Sequence, residues 1–228
     1  MTPFPLRSIA TATLALLIAA GVAAAQVPSP VLNTLEVQKL VASSEPGDHA
    51  TLRAHFSALA DRYAADAARH EAMARSFVGN PNRNTGAGLS MHCRRLAELN
   101  NESAATLREL AAHHEKLAAG ADSTPPRDSA RFQTGEGASE PTERELTGLA
   151  ARARTPADHG ALAEYFRTQA TRYTTTAREH ATMAQTYRGT RIAQAAAHCD
   201  RLVRLSRESA AEATAAAEMH RQLAGLAR

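Results

Sequence analysis

Eight of the ten histidines in this 228-residue chain recur at equivalent positions in two copies of one sequence pattern. In each copy two of these histidines stand close to a methionine or a cysteine. The first cluster is His70, Met73, His92 and Cys93, and the second is His180, Met183, His198 and Cys199. Imidazole, thioether and thiol are the side chains that suit soft transition metals, Cu(I) in particular. The two clusters therefore predict metal sites, with copper as the expected ion.

The two copies are an internal repeat, which is the strongest structural signal in the sequence. Residues 48–77 align with residues 158–187 at an offset of 110, and eleven of these thirty positions are identical. The match resumes at an offset of 106, where the His-Cys pair at 92–93 recurs at 198–199. Such a long, ordered match predicts two homologous structural units.

The sequence of each unit predicts two long helices. His49, Phe56, Tyr63, His70 and Phe77 stand seven residues apart, and the same row recurs from His159 to Tyr187. A seven-residue period places the whole row on one helix face. Helix breakers follow, at residues 79–81 in the first unit and 188–190 in the second. A short break between two long helices predicts an antiparallel αα-hairpin.

The predicted fold is all-α, with two tandem homologous long αα-hairpins that pack as an antiparallel four-helix bundle. Short helical segments are expected before each hairpin, at about 31–42 and 143–153. The predicted domains are hairpin repeat 1 at 31–119 and hairpin repeat 2 at 142–228, joined by a flexible Pro/Gly/Ser linker at 120–141. An elongated pair of hairpins that dimerises is the alternative.

Hairpin geometry predicts which histidines face one another, because residues equidistant from the turn lie opposite. The outer, secondary pairs are His49 with His114 and His159 with His220, and the inner pairs are His70 with His92 and His180 with His198. These pairs can hold metal, or they can be hydrogen-bonded core pairs. The methionines can likewise be core residues rather than ligands. A third interpretation is pH sensing, since paired histidines repel when both are protonated.

Cys93 and Cys199 occupy equivalent positions in the two units. If a pseudo-twofold axis relates the hairpins, the two thiols could meet at the axis and form a disulfide. An oxidising compartment would permit that bond. A disulfide would remove both thiols from any metal site, so the two interpretations compete, and buried free thiols are the third.

The N-terminus predicts export. Arg7 precedes an apolar stretch at residues 9–20, and small residues at 23 and 25 suit cleavage before Gln26. Residues 1–25 are therefore a predicted signal peptide, and the mature chain is expected to be periplasmic or secreted. The apolar stretch is too short and too rich in Ala to predict a membrane span, so no stable membrane anchor is expected after cleavage.

Composition and motifs argue against several classes of function. The net charge is only +3 and acidic residues are interspersed, which argues against nucleic-acid binding. No Cys-x-x-Cys-His motif is present for covalent haem, and a non-covalent haem is the weaker alternative to copper or to no cofactor. No catalytic motif is found. The sequence thus predicts an exported non-enzymatic bundle that binds copper. The alternative is a structural or interaction bundle of the cell envelope, forming a homodimer or binding an envelope protein.

Overall fold

The computed structural model describes residues 31–43, 45–80, 83–119 and 141–226. The predicted signal peptide and nearly all of the predicted linker lie outside these ranges. Within them the chain forms six helices and no strand, which confirms the all-α prediction. The helices are α1 (Thr34–Ser43), α2 (Pro46–Val78), α3 (Arg83–Ala118), α4 (Glu143–Arg152), α5 (Pro156–Arg188) and α6 (Ala195–Leu226). Of these described helices, none is both long and apolar enough to cross a bilayer.

The start of α5 shows how local sequence determines a helix boundary. Thr155 accepts a hydrogen bond from the backbone N–H of Asp158 at 3.1 Å, and the Asp158 carboxylate accepts one from the Thr155 N–H at 3.1 Å. Pro156 follows the cap at the first helical position, where its missing N–H costs nothing. This reciprocal capping box satisfies two backbone donors that no helical carbonyl can reach. In the first unit, Glu45 precedes α2 without such a side-chain bond.

The two predicted hairpins are confirmed, since α2 packs along α3 and α5 packs along α6. The hairpins join through α3 and α6. The Nδ1 atom of His92 lies 2.5 Å from Glu212, and the guanidinium of Arg95 lies 3.0 Å from Glu208. A step forward along α3 thus corresponds to a step back along α6. The two helices are therefore antiparallel, and the hairpins form one bundle.

The turn of each hairpin lies at the open end of the other. Tyr187, at the end of α5, bonds through its hydroxyl to the Nε2 atom of His114 at 2.8 Å. At the opposite end, the ring centroid of Phe77 lies 5.6 Å from that of His220. Phe77 and Tyr187 are equivalent in the repeat, as are His114 and His220. A pseudo-twofold axis across the middle of the bundle therefore relates the two units.

The seven-residue row of each first helix forms the centre of the core. All ten members are buried, and Phe56, Phe166 and Tyr187 have no exposed surface. No Cα atom of α2 lies within 8 Å of one in α5, so large side chains fill the space between these helices. The ring of His70, for example, stacks on Phe166 with centroids 6.3 Å apart. The predicted core face is thus confirmed.

The short helices α1 and α4 each contact both α2 and α5 and cover the space between them. Asn80, in the first turn, shows how α4 is held. Its side-chain amide donates to the backbone carbonyls of Ala150 and Ala153, at 3.1 and 3.2 Å. These bonds satisfy carbonyl groups at the end of α4 that have no partner within the helix. The short helices are therefore part of the bundle's packing.

Candidate functional site

The outer histidine pairs form as the sequence predicts. Nδ1 of His49 lies 3.1 Å from Nδ1 of His114, and the same distance separates the Nδ1 atoms of His159 and His220. One nitrogen of each pair must carry a proton and donate it to the other, so each pair can be neutral. Burial, with a smaller contribution from the facing histidine, lowers the pKa of His114 and of His220 to about 3. These four rings are hydrogen-bonded residues of the core.

The inner pairs do not form as predicted in the second unit. Neither ring nitrogen of His180 has a hydrogen-bond partner among the described atoms, so His180 and His198 are not hydrogen-bonded. Instead, His198 reaches across to Glu109 at 3.4 Å. In the first unit His92 likewise bonds Glu212 on the other hairpin. His92 and His198 thus form contacts between α3 and α6.

The neighbouring cysteines explain this change of direction. Adjacent residues on a helix point about 100° apart, so a histidine and the cysteine after it cannot both face the same seam. Cys93 and Cys199 take the core positions, and neither has any exposed surface. His92 and His198 therefore turn toward the other hairpin. The donors of the first predicted metal cluster accordingly point to different elements, since His70 stacks on Phe166 of α5.

The part of the chain that the structure describes contains no group of three or more His, Cys, Asp or Glu side chains placed to hold a metal ion. The surroundings of His70 also oppose a cation. Burial, with smaller contributions from the nearby guanidinium groups of Arg172 and Arg69, lowers the pKa of His70 to about 3. The second cluster differs, because His180 and Met183 border a cavity.

The disulfide considered for Cys93 and Cys199 is not formed, and both are free, buried thiols. The hairpins pack with the turn of one at the open end of the other, and this inverted packing explains the outcome. Cys93 adjoins His92, which contacts Glu212, whereas Cys199 lies thirteen residues before Glu212 along α6. That helical distance is about 20 Å at 1.5 Å per residue, against the 4.4–6.8 Å between Cα atoms that a disulfide requires. Burial also raises the thiol pKa values, to about 12 for Cys199, so neither is a thiolate at neutral pH.

A cavity of about 470 Å³ lies between α1, α2 and α5, and we call it the α1 cavity. The side chains that matter for its chemistry are His55, Tyr63, Tyr173, His180 and Met183. Leu32 and Val37, from the chain around α1, form an apolar part of the wall. The cavity therefore combines apolar surface with hydrogen-bonding groups.

His180 is the most unusual wall residue of the α1 cavity. Its side chain is only 1 % exposed, and both ring nitrogens lack a protein partner in the described ranges. Burial lowers its pKa to about 3, with a smaller contribution from nearby His55, so the ring is neutral. A neutral imidazole offers one N–H donor and one lone pair. Neither is used in a hydrogen bond to the described residues.

His55 lines the same cavity but was not among the predicted site residues, because it lies outside the repeat pattern. Its Nδ1 accepts a hydrogen bond from the backbone N–H of Leu32 at 3.0 Å, so its ring proton is on Nε2. Burial lowers the pKa of His55 to about 4, which keeps it neutral. Tyr165 stands at its position in the second unit. That break in the repeat is the sequence signal that could have identified His55.

Five charged residues line the cavity wall, and four of them lie near a residue of opposite charge. Arg172 contacts the Asp66 carboxylate at 2.6 Å. Partial burial of the Glu179 carboxyl raises its pKa, while nearby Arg62 acts in the opposite direction. Glu36 is the fifth charged wall residue, and its carboxylate accepts a hydrogen bond from the backbone N–H of Asn33 at 2.8 Å. The wall thus carries three acidic and two basic side chains, so it has no excess positive charge that would attract an anionic ligand.

Comparisons of the chain with protein-family models, with curated proteins and with solved structures found no match. The chemistry of the α1 cavity is therefore the basis for the functional proposal.

Proposed function

We propose that the protein is an exported, non-catalytic binding protein whose α1 cavity holds a small organic molecule. The observation that carries this proposal is His180, which is buried at the cavity with neither ring nitrogen bonded to a described residue. A buried polar group without a partner costs about 1–3 kcal/mol. A ligand that bonds to His180 would remove that cost. The cavity volume also lies within the range of roughly 300–1,000 Å³ that is usual for small-molecule sites.

The wall favours an uncharged ligand. A charged molecule would lose its hydration on entry and would find neutral imidazoles, the Arg172–Asp66 ion pair, and a Glu36 carboxylate already bonded to the Asn33 N–H. A neutral molecule with an adjacent donor and acceptor could bond His180 while its apolar part contacts Leu32, Val37 and Met183. Aromatic amides have this combination of groups, and they are suitable probes.

A charge-matched series of three probes tests this proposal directly. Benzamide, benzoate and benzylammonium share one ring but differ in charge, and each is titrated against protein with ¹⁵N-labelled histidine. We expect benzamide to shift the His180 nitrogen resonances with a Kd of about 1 mM or less. Benzoate and benzylammonium should bind about tenfold more weakly or not at all, since each carries an unpaired charge into the cavity.

The repeat provides a matched control for this test. His180→Leu should abolish benzamide binding, whereas His70→Leu, at the equivalent position in the first unit, should preserve it. Both variants keep a side chain of similar volume in the core. Absence of any His180 shift at about 10 mM benzamide, or equal binding to both variants, would reject a neutral-ligand site and indicate a hydrated cavity.

Copper binding is the second candidate, and the position of Met183 favours it. Met183 follows His180 by three residues, so the two share a helix face, and both line the α1 cavity. A neutral imidazole and a thioether suit Cu(I). His55 could join them only after its proton moves from Nε2, which would break its bond to Leu32. This proposal is therefore restricted to the second cluster, with two donors.

Copper binding is tested with untagged mature protein by metal analysis and by Cu(I) competition against a chelator. We expect about one equivalent of Cu(I), lost in Met183→Leu and retained in Met73→Leu, the equivalent change in the first unit. Retention of copper by Met183→Leu would place the metal elsewhere. No copper retained by the wild-type chain would remove the metal proposal and leave the organic-ligand proposal to its own test.

Export is proposed from the sequence of residues 1–25 alone. Expression of the full chain in a bacterium and mass analysis of the periplasmic fraction should give a mature protein that begins at Gln26. An uncleaved chain found only in the cytoplasm would contradict export.

A further inference from the structure

A chain of three hydrogen-bonded aromatic side chains lies at the end of the bundle where α2 begins and α5 ends. The hydroxyl of Tyr187 bonds to Nε2 of His114 at 2.8 Å, and Nδ1 of His114 bonds to Nδ1 of His49 at 3.1 Å. Tyr187 and His114 have no exposed surface, and His49 is 5 % exposed. The chain therefore runs from the bundle interior to a residue close to its end.

The proton positions in this chain follow from its geometry. If Tyr187 donates its hydroxyl proton to Nε2 of His114, the ring proton of His114 is on Nδ1 and is donated to His49. Every proton between the three residues then has an acceptor. In the opposite direction the imidazole would donate to Tyr187, and the buried hydroxyl proton would need another acceptor. Leaving such a proton unbonded is unfavourable, so the first direction is preferred.

Such a chain changes the redox chemistry of a buried phenol. Removing an electron from a phenol makes its proton strongly acidic, and a buried cationic phenol has no water to stabilise it. A neutral imidazole in hydrogen-bond contact accepts that proton without any rearrangement of the core. Burial lowers the pKa of both histidines of the chain in their resting state, which keeps both rings neutral and able to accept.

We propose that Tyr187 is the residue of this chain that is reversibly oxidised by one-electron oxidants. In this step the oxidant takes one electron from the Tyr187 phenol, and the O–H bond breaks as its proton bonds to Nε2 of His114. The Nδ1–H bond of His114 breaks in turn, and that proton bonds to Nδ1 of His49. The products are the reduced oxidant, a neutral Tyr187 phenoxyl radical, a neutral His114 and a His49 imidazolium. One electron from a reductant such as a thiol or ascorbate returns the chain to its initial state.

The other three tyrosines lack this arrangement, and all of them lie in the described residues. The Tyr173 hydroxyl bonds to the side-chain amide of Asn100, at 2.8 Å from Nδ2 and 3.1 Å from Oδ1, and an amide is not a base. Tyr165 lies beside the guanidinium of Arg69, which cannot accept a proton. Tyr63 faces serine and threonine hydroxyls. None of these phenols has an imidazole base at its oxygen.

The repeat contains its own control. The pair His159–His220 reproduces the geometry of His49–His114, but Phe77 stands where Tyr187 would stand. The same histidine pair thus occurs once with a phenol and once without. The Phe77 arrangement also shows that this packing tolerates a phenyl ring, so Tyr187→Phe should fold.

The experiment is photo-oxidation of the full chain with photogenerated ruthenium(III) tris-bipyridine, followed by optical absorption and electron paramagnetic resonance. A phenoxyl radical should form in the wild-type chain and be lost in Tyr187→Phe, while Tyr165→Phe should retain it. Phe77→Tyr should give a second radical, because the new hydroxyl can reach Nε2 of His220. His114→Leu, with folding checked by circular dichroism, should slow radical formation about a hundredfold, the lower end of the effect of a positioned proton acceptor.

Two outcomes would overturn the proposal. One is a radical of undiminished intensity in Tyr187→Phe, which would place the oxidation on another tyrosine. The other is an unchanged rate of radical formation in a folded His114→Leu variant, which would show that the imidazole does not accept the proton. Because Tyr187 is not a wall residue of the α1 cavity, this result is independent of the ligand tests.

Discussion

The phenyl ring of Phe77 lies 5.6 Å from the imidazole of His220, centroid to centroid, and it offers no hydrogen bond to the Nε2 atom of that ring. Nε2 of His220 has no hydrogen-bond partner among the described atoms. In the other half of the bundle, the Tyr187 hydroxyl bonds to the equivalent nitrogen of His114. The two ends of the bundle thus have similar core layers, each formed by an aromatic side chain and a histidine pair, and they differ by one hydroxyl oxygen.

Phe77→Tyr should therefore stabilise the protein. The added hydroxyl would bond Nε2 of His220 and raise the free energy of unfolding by about 1 kcal/mol. Urea unfolding followed by circular dichroism measures this change. The reverse change, Tyr187→Phe, should lower the free energy of unfolding by about 1–3 kcal/mol, since it leaves a buried nitrogen unbonded. If both substitutions lower the free energy of unfolding by the same amount, the new hydroxyl of Phe77→Tyr does not bond His220 and the two core layers are not equivalent.

Acidification should destabilise the fold. Burial lowers the pKa values of His70, His114, His180 and His220 to about 3. The unfolded chain binds protons at its ordinary histidine pKa of about 6.5, before the folded chain does. Stability is thus complete above about pH 6.5 and decreases as the pH falls below it, by about 1.4 kcal/mol per pH unit for each such histidine.

Urea unfolding at pH 7 and pH 5 measures this dependence. The loss between the two pH values should be smaller in His180→Leu by the contribution of one group. An equal free energy of unfolding at both pH values in the wild-type chain would contradict the buried, neutral state of these rings.

The two kinds of ion pair between the hairpins should differ in their contributions. Asp66 is 5 % exposed and contacts Arg172 and Arg69, so Asp66→Asn should lower the free energy of unfolding by about 3 kcal/mol. The pair of Arg95 with Glu208 is about half exposed on each side chain. Glu208→Gln should therefore change the free energy of unfolding by no more than about 1 kcal/mol. Similar losses in the two variants would contradict the burial of Asp66.

The free thiols give a chemical test of the packing. Native protein should resist alkylation by iodoacetamide at both Cys93 and Cys199, because both are buried and their pKa values are raised by burial. The same protein denatured without a reductant should take up two alkyl groups, as mass spectrometry would show. No uptake after denaturation would indicate a disulfide and would contradict the inverted arrangement of the hairpins.

Sequence patterns predicted those features that lie within one hairpin. The seven-residue row and the breaks near residues 79 and 189 were sufficient for the helices and their antiparallel pairing. The His49–His114 pair followed from equal distances to the turn. The prediction of the inner pairs was wrong in part, because Cys93 and Cys199 take the core positions. Which of two adjacent helical residues faces the core depends on packing, and a seven-residue period does not specify it.

Contacts between the hairpins could not be predicted in this way. A repeat tells us that two apolar faces are alike, but parallel and inverted packing bury the same residues. The bond from Tyr187 to His114, the separation of Cys93 from Cys199 and the α1 cavity beside His180 all depend on the inverted arrangement.

The sequence by itself determined that this protein is a duplicated helical hairpin with histidines in its core, because helical period and turn position are local properties. Only the tertiary structure decided which histidine meets a tyrosine, which meets a phenylalanine and which faces a cavity. The physical reason is that hydrophobic burial determines which face of each hairpin is covered, but it does not determine the direction in which the second hairpin runs across that face. The direction is set by how particular side chains fit across the α3–α6 contact and between α2 and α5.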